Sequence, residues 1–91
     1  RVVDILHHFE AFNVAVDVHD PWVDAEEAKH EYGIELTAQP KPGIYDAIVV
    51  AVSHREFAAL GEKGLRAFGK PNAVLYDVKY VLPKADVDGR L

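Results

Sequence analysis

A run of apolar, mostly β-branched residues, Tyr45-Asp-Ala-Ile-Val-Val-Ala-Val52, constrains the fold of this chain more than any other feature. A strand that is apolar on both alternating faces is typical of a parallel sheet buried between two layers of helices. Ser53-His-Arg-Glu56 follows directly and has the form of a capping box, which starts a helix. A buried strand followed at once by a capped helix predicts an α/β fold.

Weaker patterns on either side continue this alternation of elements. We predict helices over 1–12, 24–32 and 53–68, and strands over 14–18, 34–37, 45–52 and 73–77. Asp24 and Glu27 form another capping box, and Gly33 suits a left-handed helix end. Gly61 and Gly64 should weaken or kink the last helix, and Gly69 should close it. Together with right-handed crossovers, the order predicts a Rossmann-like three-layer α/β/α domain with a mainly parallel sheet, residues 1–91 forming a single domain.

Composition excludes several classes of function. The net charge is −5 and the ten Lys and Arg residues are scattered singly, which argues against nucleic acid as a partner. The absence of cysteine excludes a disulfide framework, a thiolate metal site and a cysteine nucleophile within these residues. No apolar run approaches the roughly 20 residues that span a bilayer. We therefore expect no membrane partner and a cytoplasmic protein.

Polar residues follow three of the predicted strands. In open parallel sheets ligands bind beyond the carboxyl ends of the strands, so these residues should share one edge. Lys79 is suited to hold a phosphate as a point charge, or is simply solvated. The clusters are Asp17, His19 and Asp20 after the first strand, Ser53 and His54 after the third, and Asp77 and Lys79 after the fourth.

Two catalytic interpretations of these residues are disfavoured. Adjacent Ser53 and His54 diverge at a helix start and lack a Gly-x-Ser-x-Gly elbow, so we predict that Ser53 is a helix N-cap rather than a nucleophile. The five histidines lack metal-ligand spacing, and we predict no metal site. A Gly-x-Gly-x-x-Gly fingerprint is also missing, so any NAD must bind elsewhere.

Several strings, taken in order, carry a family resemblance. The chain resembles the C-terminal domain of the UDP-glucose/GDP-mannose dehydrogenase family, and looks closest to the subgroup that oxidises UDP-N-acetylhexosamines. The resemblance covers essentially the whole chain. The strings are Asp20-Pro-Trp22, Glu26 to Glu35, Tyr45 to His54 with Glu56-Phe57, Tyr76-Asp-Val-Lys79 and Val87-Asp-Gly-Arg-Leu91.

The resemblance implies a function for the parent protein. Such enzymes oxidise the sugar C6 alcohol to a carboxylate in two steps, with two NAD and a covalent thiohemiacetal on a cysteine. The resemblance places that cysteine and the NAD in an N-terminal domain, so the partners of this chain would be a UDP-sugar and that domain, with polysaccharide precursors as products. The chain alone is then not expected to be catalytic.

The resemblance also assigns Lys79 and a missing strand. Lys79 takes the place of the family's cationic UDP-sugar contact, with Val78 where the family has glycine. The family strand order 3-2-1-4-5 implies that the first central strand is absent from this chain, so we expect exposed sheet edges and a homo-oligomer. Two other functions stay open: a receiver-type module with Asp17 or Asp20 as phosphoacceptor, and a structural domain for oligomer contacts.

Overall fold

The computed structural model describes residues 2–90, without the side chains of Val2, Val3 and Tyr32. The chain forms two compact units, residues 1–40 and residues 41–91. The prediction of a single domain over 1–91 stays a prediction. The elements are α1 (Val2–Ala11) and α2 (Ala25–Tyr32) in the first unit, and β1 (Tyr45–Val50), α3 (Arg55–Arg66), β2 (Gly69–Asp77), a 3-10 turn (Lys84–Asp86) and β3 (Gly89–Arg90) in the second.

The Asp24 and Gly33 caps predicted for α2 are present, whereas the described residues show no hydrogen bond from Asp24 N–H to the Glu27 side chain that would complete the predicted capping box. Asp24 Oδ1 accepts hydrogen bonds from the backbone N–H groups of Glu26 and Glu27, at 2.8 and 3.2 Å. These bonds satisfy two donors that the first turn of a helix leaves without a partner. At the other end Gly33 has a φ of 66°, a left-handed conformation that glycine adopts without a Cβ clash. Asp24 and Gly33 therefore set the two ends of α2.

The strands predicted over 14–18 and 34–37 are wrong. The structure has only one isolated parallel bridge there, between Val18 and Leu36, with the Thr37 N–H donating to the Val18 carbonyl at 2.7 Å. Val14 and Val16 are 46% and 38% exposed. A β-branched run becomes a strand only when a neighbouring strand supplies a ladder of hydrogen bonds, and a single bridge does not supply one.

The second unit contains a parallel sheet, as predicted, with the order β1-β2-β3. The register jumps from the Tyr45–Gly69 pair to the Ala47–Val74 pair, so residues 70–73 of β2 bulge opposite the single residue Asp46. Beyond the bulge the pairing is regular and ends with Val50 opposite Asp77. This sheet and its helix give the second unit a Rossmann-like α/β fold.

Helix α3 packs on one face of this sheet and closes a small core. Val50, Leu65, Leu75 and Leu82 form that core, and Leu75 is completely buried. On the opposite face of the sheet, Val49 is 37% exposed and Val74 is 48% exposed. The strand over residues 45–52 was predicted to be buried on both faces, and this prediction is wrong. Alternate residues of a strand face opposite sides of the sheet, and within residues 41–90 helix α3 covers only one side.

The start of α3 also differs from the prediction. The last residue with an extended conformation before the helix is His54, so His54 and not Ser53 is the N-cap, and its side chain makes no capping hydrogen bond. Gly61 interrupts the helix as expected, with a φ of 66° and a ψ of −175°, whereas Gly64, predicted to do the same, keeps a helical conformation. The helix is capped at Ala67, and Gly69, predicted to close it, is already the first residue of β2.

Candidate functional site

The carboxyl ends of β1 and β2 lie side by side. Val50 and Asp77 are paired at the last register position, and the Val78 N–H donates to the Val50 carbonyl at 2.9 Å. Ser53 and Lys79 each follow one of these strands, so both lie beyond the same edge of the sheet. This placement is the one predicted for the two clusters of the second unit. The position of Asp17, His19 and Asp20 relative to that edge stays a prediction.

Asp77 holds the loop that follows β2. Its side chain is fully buried, with Oδ1 accepting from the Lys79 N–H at 3.1 Å and Oδ2 accepting from the Leu82 N–H at 2.8 Å. A carboxylate that is buried and already accepts two backbone hydrogen bonds has no free face for a ligand. From its position after β2, Asp77 was predicted to be one of the candidate ligand contacts; in the structure it fixes the loop backbone instead.

Lys79 is the exposed cation of this loop. Its backbone N–H is fixed by Asp77, whereas its side chain lies in solvent. Among the residues that the structure describes, no carboxylate pairs with the Lys79 ammonium group. An ammonium on a fixed backbone and without a carboxylate partner is available to an anionic ligand. The geometry therefore leaves Lys79 open to the role predicted for it.

Arg90 is a second cation near this loop. It was not among the site residues predicted from the sequence. It is opposite Asp77 in the β2–β3 pairing, and its guanidinium carbon lies 4.0 Å from the centroid of the Tyr80 ring. Tyr80 has a φ of 57°, which is uncommon for a residue other than glycine. Arg90 belongs to the Val87-Asp-Gly-Arg-Leu91 string of the family resemblance. Its pairing with Asp77 depends on the register of β3, which the sequence pattern does not show.

An arginine–aspartate pair ties the segment before β3 to the rest of the unit. Arg66 of α3 donates to Glu62 Oε2 at 2.9 Å, to Asp88 Oδ2 at 3.1 Å and to the Asp86 carbonyl at 2.9 Å. Asp88 Oδ2 also accepts from the Leu75 N–H at 2.9 Å. The hydrogen bond to Asp88 is the main cause that raises the pKa of Arg66. The Leu75 N–H, followed by Arg66, lowers the pKa of Asp88.

The lowered pKa of Asp88 predicts a pH-dependent contribution to stability. A carboxylate whose pKa falls below its ordinary value of 3.8 on folding stabilises the folded state above that value, and this contribution disappears as the pH falls through the folded-state pKa. The urea midpoint of the native chain should exceed that of Asp88→Asn by a constant amount above about pH 5, with the gap closing below about pH 4. The matched control is Asp46→Asn, which loses only an exposed pair with Lys70. A gap that widens on acidification would contradict the prediction.

Two candidate residues of the first unit, His19 and Asp20, form hydrogen bonds within that unit. His19 Nδ1 lies 2.9 Å from the Thr37 carbonyl oxygen, which can only accept, so this nitrogen is the donor. Asp20 Oδ1 accepts from the Trp22 N–H at 2.9 Å, a turn around Pro21. Within residues 2–90, no three His, Asp or Glu side chains are grouped as metal ligands would be. No helix in this described part is long and apolar enough to cross a membrane.

Together, these features define the class of protein. A parallel sheet packed on a helix, with exposed polar side chains beyond the carboxyl ends of its strands, is an α/β domain of Rossmann-like type. Residues 1–84 match the family model described as "UDP-glucose/GDP-mannose dehydrogenase family, UDP binding domain". The chain therefore belongs to this family, as the resemblance indicated. The match supports the dehydrogenase interpretation over the receiver-type alternative.

The chain is also similar to two named enzymes. The chain is 47% identical to a UDP-N-acetyl-D-glucosamine 6-dehydrogenase of Salmonella typhi and 48% identical to one of Pseudomonas aeruginosa, over 91 residues in each case. Both alignments cover 100% of this chain but only 21% and 22% of the relatives. The chain thus spans about a fifth of the length of these enzymes. No solved structure shows a significant match to the chain.

Proposed function

We propose that this chain is the UDP-sugar-binding part of an NAD-dependent dehydrogenase that oxidises the C6 alcohol of a UDP-N-acetylhexosamine to the uronate for polysaccharide biosynthesis. The family model and the names of both relatives support the substrate class and the reaction. The chain itself supplies binding and no catalytic residue. Its partners are the UDP-sugar and the N-terminal domain of the parent protein, and we keep the predictions of a homo-oligomer and a cytoplasmic location.

Lys79 is the residue of this chain that best supports the proposal. Its ammonium lies in solvent beyond the carboxyl ends of β1 and β2, and no described carboxylate pairs with it. Asp77 fixes the backbone from which it projects. The diphosphate of a nucleotide sugar carries concentrated negative charge, and a lysine recognises such charge without needing a planar bidentate partner. We assign Lys79 as the substrate-binding residue of this chain.

NAD does not fit the residues that follow the strands of this sheet. In a dinucleotide-binding domain, glycines after the first strand let the backbone approach the pyrophosphate closely. The loop after β1 is Ala51-Val-Ser-His54, which contains no glycine, and His54 is the helix N-cap. The first glycine of α3, Gly61, lies well inside the helix at its interruption. We therefore assign NAD binding to the N-terminal domain of the parent protein.

Lys79→Ala in the full-length parent tests the assignment. Loss of one charge-assisted contact should raise the KM for the UDP-N-acetylhexosamine about tenfold, while the KM for NAD stays unchanged. Lys79→Arg keeps the charge and should retain most of the affinity. Initial rates of NADH formation at varied UDP-sugar and varied NAD give both constants.

The matched control for Lys79 is Lys63→Ala, which removes an exposed lysine from α3. It should leave both constants within about twofold, since an isolated surface charge contributes little. An unchanged UDP-sugar KM in Lys79→Ala would refute the binding role of Lys79. A parent enzyme that forms no NADH with any UDP-N-acetylhexosamine or UDP-glucose would refute the proposed reaction.

A further inference from the structure

The side chain of Arg90 packs on the ring of Tyr80. Strand β3 extends the parallel sheet beside β2, and its last residue, Arg90, is opposite Asp77, the last residue of β2. The guanidinium group lies over the ring of Tyr80, with 4.0 Å between the guanidinium carbon and the ring centroid. Tyr80 directly follows Lys79 in sequence. A second cation is thus placed next to the loop that carries Lys79.

Arg90 differs from two other cations of the same unit in its partners. Arg66 donates to Glu62 and Asp88, and Lys70 pairs with Asp46. For Arg90, by contrast, the described residues provide the aromatic face of Tyr80 and no carboxylate. A guanidinium group that lies on a ring keeps the N–H donors at its rim, which are suited to phosphate oxygens.

Two features hold the Arg90–Tyr80 pair in place. Asp77 binds the N–H groups of Lys79 and Leu82, which flank the left-handed Tyr80 and stabilise this uncommon conformation. Gly89, the residue before Arg90, lets β3 pack closely, since a Cβ atom there would lie 2.7 Å from Cδ1 of the Tyr76 ring. The position of the guanidinium therefore depends on the fold of the unit and not only on a flexible side chain.

We propose that Arg90, oriented by the ring of Tyr80, is a second contact to the diphosphate of the nucleotide sugar, beside Lys79. This inference rests on the proposed function. Lysine supplies a point charge and arginine supplies directed donors, so the two residues together recognise both the charge and the geometry of a diphosphate. Arg90 is then a binding residue and Tyr80 a positioning residue.

Four variants of the full-length parent test the roles of Arg90 and Tyr80. Arg90→Ala should raise the UDP-sugar KM and the inhibition constant of UDP about tenfold each, with kcat and the KM for NAD within about twofold. Arg90→Lys keeps the charge but loses the planar donors, so its UDP-sugar KM and its inhibition constant for UDP should lie between those of Arg90→Ala and the native enzyme. Tyr80→Leu should raise both constants several-fold, whereas Tyr80→Phe keeps the ring and should restore them. Lys63→Ala again serves as the surface-charge control.

The outcomes separate this inference from the proposed function. A raised UDP-sugar KM in Lys79→Ala, together with native constants in both Arg90 variants, would overturn the role of Arg90 and leave the proposed function standing. Native constants in Lys79→Ala and in both Arg90 variants would overturn the binding roles of both residues, whereas a parent that forms no NADH with any UDP-sugar would overturn the proposed reaction. If Arg90→Ala lowers the melting temperature, its constants also reflect a loss of stability. The KM and inhibition constants of Arg90→Lys and of the two Tyr80 variants then decide whether Arg90 binds the diphosphate. Equal UDP affinity in Tyr80→Leu and Tyr80→Phe would refute the positioning role of Tyr80.

Discussion

Asp77→Ala should destabilise the chain by about 3 kcal/mol and release the loop that carries Lys79. The Asp77 carboxylate is fully buried and accepts hydrogen bonds from the N–H groups of Lys79 and Leu82. Alanine leaves two backbone donors unsatisfied near the core, and each such loss costs about 1–3 kcal/mol. The left-handed Tyr80 between these donors also loses its restraint. Urea unfolding followed by circular dichroism gives the loss of stability.

Amide hydrogen exchange supplies the local measurement for Asp77. The Lys79 and Leu82 amides should exchange faster in Asp77→Ala by more than global destabilisation explains, because their acceptors are gone. Asp46→Ala is the control, since Asp46 is an exposed aspartate whose side chain bonds Lys70 and no other residue that the structure describes. It should change stability by less than about 1 kcal/mol. Native-like protection of both amides in Asp77→Ala would contradict the loop-fixing role.

Leu75→Ala should lower the free energy of unfolding by about 2–5 kcal/mol. Leu75 is completely buried and packs with Val50, Leu65 and Leu82 in the small core between the sheet and α3. Few side chains are buried among the described residues, so little other apolar burial compensates for the cavity. The measurement is again urea unfolding, with the slope of the transition used to check that the folded state is retained.

The neighbouring residue provides a matched control for Leu75. Val74 lies on the same strand and is 48% exposed on the opposite face of the sheet. Val74→Ala should cost less than about 1 kcal/mol, because little apolar surface is removed from the folded core. Equal losses in the two variants would show that the face opposite α3 is covered in solution. That result would contradict the one-sided core described for residues 41–90.

Local signals in the sequence predicted local structure well. The Asp24 cap and the Gly33 end of α2 are present, because a cap depends on residues within one turn of each other. The strand over 45–50, the helix after it and the interruption at Gly61 also follow from short-range pattern and glycine chemistry. The parallel sheet was predictable from the alternation of helices and strands.

Predictions that needed a distant partner were less successful. The β-branched run over 14–18 forms a single bridge to Leu36, because strand formation depends on hydrogen bonds from another strand. The N-cap of α3 is a local prediction that also failed, since the backbone becomes helical only after His54 and not after Ser53. Asp77 was grouped with the ligand contacts because its position at the strand end was clear, whereas its two backbone donors depend on the path of the following loop.

The sequence by itself determined the class of fold, the strand end beyond which Lys79 lies and the family to which the chain is related. These depend on residue pattern over short distances and on the order of motifs. Only the tertiary structure decided that Asp77 is buried, that Arg90 lies on Tyr80 and that Asp88 joins Arg66 to Leu75. These contacts join the strands to the loops and the helix around them, and the register that aligns them is set by packing of the whole unit.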